Sequence, residues 1–481
     1  MSLSSSLNAA VAGLTLTSRR AEIVATNVAN ADRDGYARRD LRAAGVGSAI
    51  TRIDTVVERQ IDPNLRHLRR EYQGRQSGLA ADQTFHTSLD AGIGDPDQPG
   101  SLQARVAALD AALTTAAANP ASDQAIQAIS QAAQDVVSKV NGLADTVIRE
   151  RQQADTEIGM AVEGLNADLK GIERLNAEIV RLRATSHDTA DLEDERAILI
   201  DRVSSQIPVY ELPRDHGTVA LVSHGGSILL DGRAAEFSFT PRAPITPDMV
   251  VPIQLSGLTL NGRDIATSGP TSTINGGRLQ ALFQVRDETA PAAMERLDAF
   301  AAELITRFEN PAFDPSLTAG QPGMFTDLGS AYDPTAPAGL ADRLRLNGLV
   351  SPTNPSTLWH LRDGLGAAVP GNVAENAQIL RFSEALDTRQ APANGAITQV
   401  PTTIAELAGH LKSAVSSDRL GAENRYAESA RQADRLVDQR DGGAVDVDAE
   451  MRRLLDIEQA YAANARIIQV VGDMMDRLTE L

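Results

Sequence analysis

The sequence predicts a mainly α fold with an inserted β domain: N- and C-terminal helices pairing as a coiled coil, a long-helix bundle body, and a small antiparallel β insertion. Three observations lead there. Both ends carry apolar residues on seven-residue series, the middle carries long runs at helical spacing, and at Ile207 the pattern switches to strand-like alternation.

At the N-terminus, Leu3, Ala10, Thr17 and Val24 form one series and Leu7, Leu14, Ala21 and Val28 the other. This is an a/d seam over four heptads, interrupted by Thr17. Asn30 to Gly35 then breaks the helix, because Asn, Asp and Gly favour turns. At the C-terminus, Leu454, Tyr461, Ile468 and Met475 fall every seven residues, as do Ile457, Asn464, Val471 and Leu478. Only Asn464 spoils that seam. Gly442-Gly443 precedes it as a joint, Asp446 or Asp448 can cap its start, and a helix from Val447 to Leu478 would be about 48 Å long. Each stripe is too narrow for its helix to be stable alone in water.

Between the ends, Ser122-Asp123 after Pro120 is a start signal, followed by Ile126, Ile129, Ala133, Val136 and Val140 at helical spacing. Ile158, Leu165, Ile172 and Ile179 recur every seven, with Val162, Leu169, Leu175 and Leu182 beside them. A helical hairpin or bundle over roughly 100–205 follows, with further helices at 291–308 and about 404–437. From Ile207, Val219/Leu221, Ile228/Leu230 and Phe237/Phe239 alternate, then Val251/Ile253/Leu255 and Leu258/Leu260, with Asn261-Gly262 as a hairpin signal. Residues 311–401 hold 10 of the 22 prolines and read as ordered loops with short elements.

A length of 481 residues suggests about three domains. Residues 1–40 plus 441–481 make a terminal assembly domain; 41–206 plus 273–440 make a helical body; 207–272 make an outer β domain. Aromatic residues are 3% of the chain, which disfavours an aromatic-lined ligand cavity. The 45 basic and 64 acidic residues give a charge of −19, which argues against nucleic acid and anionic membrane as partners. Zero cysteines remove disulfides, thiolate nucleophiles and Cys-ligated metals. No apolar run is long enough to span a bilayer. Leu3 to Leu16, interspersed with Ser, Asn and Thr, does not read as a secretory signal, so any export would have to use another route.

Catalytic constellations are not found. The seven histidines include no pair at i, i+4, so there is no zinc helix. His224-Gly225-Gly226 lacks a Gly-x-Ser-x-Gly elbow and reads as a hairpin turn. Asp95 and Asp97 before Gly100 hint at a calcium loop, but its twelfth position is Val106. Asp191, Glu193, Asp194 and Glu195 read as the solvated face of a helix. No catalytic, cofactor or metal site is expected, and the chain is expected not to be an enzyme.

Ala12-Gly13-Leu14, Asn27-Val28-Ala29-Asn30 and Gly35-Tyr36-Ala37-Arg38 resemble the N-terminal signature of the bacterial flagellar rod, hook and hook-associated proteins. Glu450, Leu454 and Gln459-Ala460-Tyr461-Ala462-Ala463-Asn464-Ala465-Arg466 resemble its C-terminal signature. Asp191-Leu192-Glu193-Asp194-Glu195-Arg196, and Gly276-Gly277-Arg278-Leu279 with Arg286-Asp287, are similar to the hook-associated branch; Glu195 and Ala197 depart from its commoner Gln and Asp. The resemblance implies a structural subunit at the hook–filament junction, with another axial part such as hook or distal rod as the alternative and an enzyme carried on an axial scaffold far behind it. It also implies the partners: copies of itself, the hook protein, a second junction protein on the filament side, and an export chaperone at the C-terminus. The implied location is the flagellum, reached unfolded through the flagellar type III apparatus. The seam residues are then Leu3, Leu7, Leu14, Val24, Val28, Leu454, Ile457, Tyr461, Ile468, Val471, Met475 and Leu478. The motif residues are Asn27, Asn30, Gly35, Tyr36, Arg38, Gln459, Tyr461, Asn464 and Arg466.

Overall fold

The computed structural model describes residues 3–33, 35–44, 54–185, 187–269, 272–392, 394–438 and 445–479. Helix α1 (Leu3–Ala29) leads into an antiparallel hairpin of β1 (Arg39–Ala44) and β2 (Asp54–Arg59). Helices α2 (Pro63–Ile93), α3 (Leu102–Ala118), α4 (Asp123–Ala184) and α5 (Ala190–Gln206) follow. Seven short strands come next: β3 (Val209–Pro213), β4 (Val219–Ser223), β5 (Ile228–Asp231), β6 (Arg233–Ala234), β7 (Phe237–Ser238), β8 (Leu258–Leu260) and β9 (Arg263–Ile265). Helices α6 (Arg278–Gln284) and α7 (Ala290–Phe308) run on through a π turn at Val285–Thr289. The proline-rich stretch supplies β10 (Phe325–Asp327), α8 (Leu340–Arg343), β11 (Leu344–Leu346), α9 (His360–Asp363) and α10 (Ala377–Asp387). Long helices α11 (Ile404–Asp438) and α12 (Val447–Thr479) close the chain.

Side chains set most of these boundaries. Asp62 accepts from the N–H groups of Asn64 (2.9 Å) and Leu65 (3.2 Å) at the start of α2, where Pro63 needs no donor. Ser122 accepts from the Ala125 N–H and starts α4, as its sequence signal predicts. That helix then runs 62 residues, about 93 Å, as the spine of the body. Asp446 is the cap of α12, accepting from the Ala449 N–H at 3.1 Å. The expected joint at Gly442-Gly443 lies outside the described residues.

One face of α4 is buried from Ile126 to Ile179. Val136, Val140, Leu143 and Val147 pack in one continuous cluster with Leu109 and Leu113 of α3 and Leu297, Phe300 and Leu304 of α7. The inserted strands join the same cluster: Val219, Leu221, Leu230, Phe237 and Leu258 lie in it with Ile158, Leu165 and Ile172. They form two antiparallel sheets, ordered β3-β4-β5-β6 and β7-β8-β9, tied to the spine by asparagines. Asn176 Nδ2 donates to the Val219 carbonyl (2.9 Å), and Asn166 both donates to the Phe237 carbonyl and accepts from its N–H. Asn261-Gly262 is the turn between β8 and β9, with both residues at positive φ (51° and 76°), as a type I′ hairpin demands. His224-Gly225-Gly226 is likewise the turn between β4 and β5.

Two features differ from expectation, and a third has no apolar signal in the sequence. Val251/Ile253/Leu255 is not a strand: Ile253, Gln254 and Leu255 all donate back to the Val250 carbonyl, and Pro252 has no N–H for a ladder. The stretch 63–93 is a long helix that the apolar pattern did not reveal, and 39–59 holds a hairpin where helical body was expected.

Candidate assembly interface

Helices α1 and α12 pack antiparallel, which the contacts Asn27–Glu450 and Gly13–Asn464 fix, each pair being the same number of residues farther along in opposite directions. Ala10, Thr17 and Val24 are buried along α1, while Leu7, Leu14, Ala21 and Val28 flank them half-buried. Facing them, Leu454, Ile457, Asn464 and Ile468 are half-buried and Val471 is buried. Both residues expected to spoil the seam belong to it. The Thr17 hydroxyl donates to the carbonyls of Gly13 (3.0 Å) and Leu14 (2.9 Å), so it is satisfied within its own helix. Asn464 sits over Gly13, where an added Cβ would lie 2.9 Å from Asn464 Nδ2. A glycine on one helix makes room for an amide on the other.

Tyr461 and Met475, expected in the seam, are 46% and 48% exposed. Met475 falls opposite the start of α1 in this register, so no turn of α1 covers it. The side chains of Leu3 and Leu478 lie outside the described residues.

The N-terminal motif residues converge at the other end of the pair, where it meets the body. Asn27 is fully buried and uses its whole amide: Nδ2 donates to the Arg39 carbonyl (2.9 Å) and Glu450 Oε2 (3.1 Å), while Oδ1 accepts from the Tyr36 hydroxyl (2.8 Å) and the Arg39 N–H (3.0 Å). Arg38 Nε donates to Glu450 Oε1 at 2.7 Å, and Glu450 is 1% exposed. One carboxylate of α12 is thus held by two residues of the N-terminal segment. Burial raises the Tyr36 hydroxyl above its ordinary pKa, Arg39 opposing and the surrounding carboxylates adding to the rise. Gly35 has φ 75°, and a Cβ there would lie 2.4 Å from Ile198 Cγ1, so its backbone and its packing both require glycine. Asn30 Nδ2 donates to the Thr26 carbonyl at the end of α1, which also accepts the Asn30 backbone N–H.

Of the acidic run expected on a solvated face, Asp191 and Glu195 are exposed, but Asp194 is not, and it completes this knot with Asp191. Asp194 is buried and pairs with Arg39 (3.0 Å) and Arg59 (2.6 Å); Asp191 also binds Arg39, at 2.6 Å. Burial alone would lower the Arg39 pKa, but its hydrogen bonds to Asp191 and Asp194 outweigh this and leave it raised. Its guanidinium also lies 4.8 Å above the Tyr36 ring. Hence α1, β1, β2, α5 and α12 meet in a single polar cluster. Of the C-terminal motif, Asn464 contacts α1, whereas Gln459, Tyr461 and Arg466 point outward. Among the described residues there is no group of three or more His, Cys, Asp or Glu placed to hold a metal, and no helix long and apolar enough to cross a membrane.

A family model described as the flagellar hook-associated protein FlgK helical domain matches residues 87–312. A second, described as the flagellar basal body rod FlgEFG protein C-terminal, matches 442–481, the segment of α12. Flagellar hook-associated protein 1 of Bacillus subtilis is 21% identical over 489 residues, covering 94% of this chain and 93% of that protein. The protein of the same name from Salmonella typhimurium is 24% identical over 323 residues, covering 63% of this chain and 56% of the relative. The flagellar hook junction protein FlgK from Burkholderia pseudomallei superposes with a TM-score of 0.43 at 20% identity, over 54% of this chain and 46% of that one. Along most of its length the chain is similar to flagellar hook-associated protein 1, and its helical spine lies in the segment that matches the family model.

Proposed function

We propose that the chain is a structural subunit of the bacterial flagellum at the hook–filament junction, assembling through its terminal helices and connecting hook to filament. The observation that carries this reading is the second apolar face of the terminal pair. Met451, Leu455, Ile467, Val470 and Met474 of α12 are 46–58% exposed, on the sides of the helix turned away from the centre of the seam, and Val11 of α1 is 47% exposed. A lone chain leaves this surface in water, whereas copies packed around an axis would bury it at about 25 cal/mol per Å². Neighbours on both sides of α12 are what a ring or helical assembly supplies. The outward Gln459, Tyr461 and Arg466 are the motif residues available to them.

The proposed partners are copies of this chain, hook protein below and a second junction protein above, with no nucleic acid. An export chaperone covers the α12 stripe before assembly, and the chain leaves through the flagellar type III apparatus. No catalytic activity belongs to this role. Tagged protein in partly assembled flagella should sit at the distal hook end; labelling along the hook or in the rod would refute the junction assignment. Pull-down of the chaperone should fail when 440–481 are deleted, and unchanged capture would refute its site.

A further inference from the structure

Between α4, α7 and the loops 245–249 and 337–341 lies an open cavity of about 280 Å³. Val147, Ile148, Ile245, Pro291, Met294 and Pro337 make its walls apolar. Each rim is tied down by a buried charged side chain. Arg151, 5% exposed, donates to the carbonyls of Thr246 (3.1 Å), Pro247 (3.3 Å), Met249 (2.7 Å) and Arg286 (2.8 Å). Asp298, 6% exposed, accepts from the N–H groups of Gly339 (2.8 Å) and Ala341 (2.7 Å).

The two clamps differ in what they leave over. Arg151 spends its guanidinium on those carbonyls. Each Asp298 oxygen accepts one bond and keeps a lone pair; the nearby Arg343 acts on it only through its charge, since its guanidinium is bonded to Asp327 and to the carbonyls of Ala336 and Ala338. Glu295 adds a second, exposed carboxylate at the lip. Burial pushes Asp298 up to about 6, against the pull of the two backbone N–H groups and of the Arg343 charge, and Glu295 adds to the rise. The cavity is therefore apolar along its walls and acidic at one end.

We propose that this cavity binds an amphipathic cation, with an apolar stem against Ile148, Pro291 and Met294 and an amine, amidine or guanidine tip on the carboxylates of Asp298 and Glu295. Two sources offer that chemistry. One is a small free amine. The other is an arginine side chain from a second copy of this chain, whose cations are all Arg apart from Lys139, Lys170 and Lys412; this source rests on the self-assembling role proposed above.

The test is a ligand-observed NMR titration of the full chain with benzamidine, neutral benzamide and benzoate. Benzamidine should saturate, benzamide should bind at least about tenfold more weakly (1.4 kcal/mol per decade), and benzoate should not bind. Met294→Trp fills the cavity and should abolish saturation. Glu295→Gln, an exposed change that spares the fold, should weaken benzamidine several-fold and leave benzamide unchanged. Equal binding of benzamide and benzamidine, no saturation, or binding indifferent to both variants would overturn the proposal. Sedimentation at high protein concentration separates the sources. Self-association dissolved by benzamidine and by Met294→Trp identifies the arginine of a second copy. Association unaffected by either, with saturable benzamidine binding, identifies a free amine. Failure of the junction assignment shows in flagellar localisation and leaves the titration untouched.

Discussion

Replacing Asn27 tests whether the polar knot couples the terminal pair to the body. Asn27→Ala removes four hydrogen bonds and leaves the buried N–H and carbonyl of Arg39, and the Tyr36 hydroxyl, without their partner. At about 1–3 kcal/mol per unsatisfied buried group, less what entering water returns, the docked state should lose roughly 2–4 kcal/mol. Asn27→Asp keeps the shape but sets a carboxylate oxygen 3.1 Å from Glu450 Oε2, where Nδ2 now donates. At an effective dielectric of about 20 that repulsion is about 5 kcal/mol. Protonating one of the two carboxyls limits it to roughly 4 kcal/mol at neutral pH, at about 1.4 kcal/mol per pH unit. The two variants therefore diverge with pH. The introduced acid is penalised while both groups are charged, and relieved as pH falls and one takes up a proton. The chain has no cysteine, so Arg181→Cys and Arg466→Cys, both at exposed positions, can carry spin labels without background. Pulsed electron resonance should give one narrow distance distribution for the parent at pH 8 and broad ones for both variants. At pH 5 the Asp variant should narrow and the Ala variant should not. Narrow distributions for all three at pH 8 would refute the coupling, because α12 would then be docked without the knot.

Asp155 and Arg286 form an ion pair at 2.8 Å with both side chains fully buried, so Asp155→Ala or Arg286→Met should each cost about 3–5 kcal/mol in urea denaturation. The double variant Asp155→Leu/Arg286→Met should recover most of that loss. Asp298 has a folded pKa of about 6, above its ordinary 3.8, so its contribution to stability is fully present below pH 3.8 and is lost as pH rises through 6. The stability difference between the parent and Asp298→Ala, followed by urea midpoints from pH 4 to 7.5, should shrink over that window; a difference that grows with pH would contradict the assignment. Deleting 454–481 should leave the melting temperature of the body near that of the parent, since its main cluster contains no α12 residue. The same deletion should abolish incorporation and release filament subunits into the medium. Ile468→Asp, a charge in the seam, should do the same, and normal filaments from either variant would overturn the assembly reading.

Local periodicity was enough to locate the helices whose partners are apolar. The heptads beginning at Leu3 and Leu454 mark α1 and α12, the spacing of Ile126 to Ile179 marks α4, and Asn261-Gly262 marks a hairpin, because each is an intrinsic pattern of a short segment. Helix α2 escaped for a physical reason. Over its first half its buried positions are Arg66, Arg70, Gly74 and Gly78; Arg70 meets its neighbours through ion pairs and the glycines through close backbone approach, with the Ser204 and Gly277 carbonyls 2.6 Å and 3.0 Å from where a Cβ would stand. Burial of that kind leaves no apolar stripe. The roles of Thr17 and Asn464 were also invisible, since a hydroxyl bonded to its own helix and an amide over a glycine are satisfied only once the partner helix is in place. The family signature singled out Asn27, Tyr36, Arg38 and Glu450 without saying what they do. That was decided by the fold, which carries Glu450 across 423 residues to Asn27 and makes Asp194, with Asp191, the anchor of Arg39 and Arg59 within an apparent solvated face. Charges separated so far along the chain have no local pattern to betray them, and only the packing that excludes water from between them makes them a site.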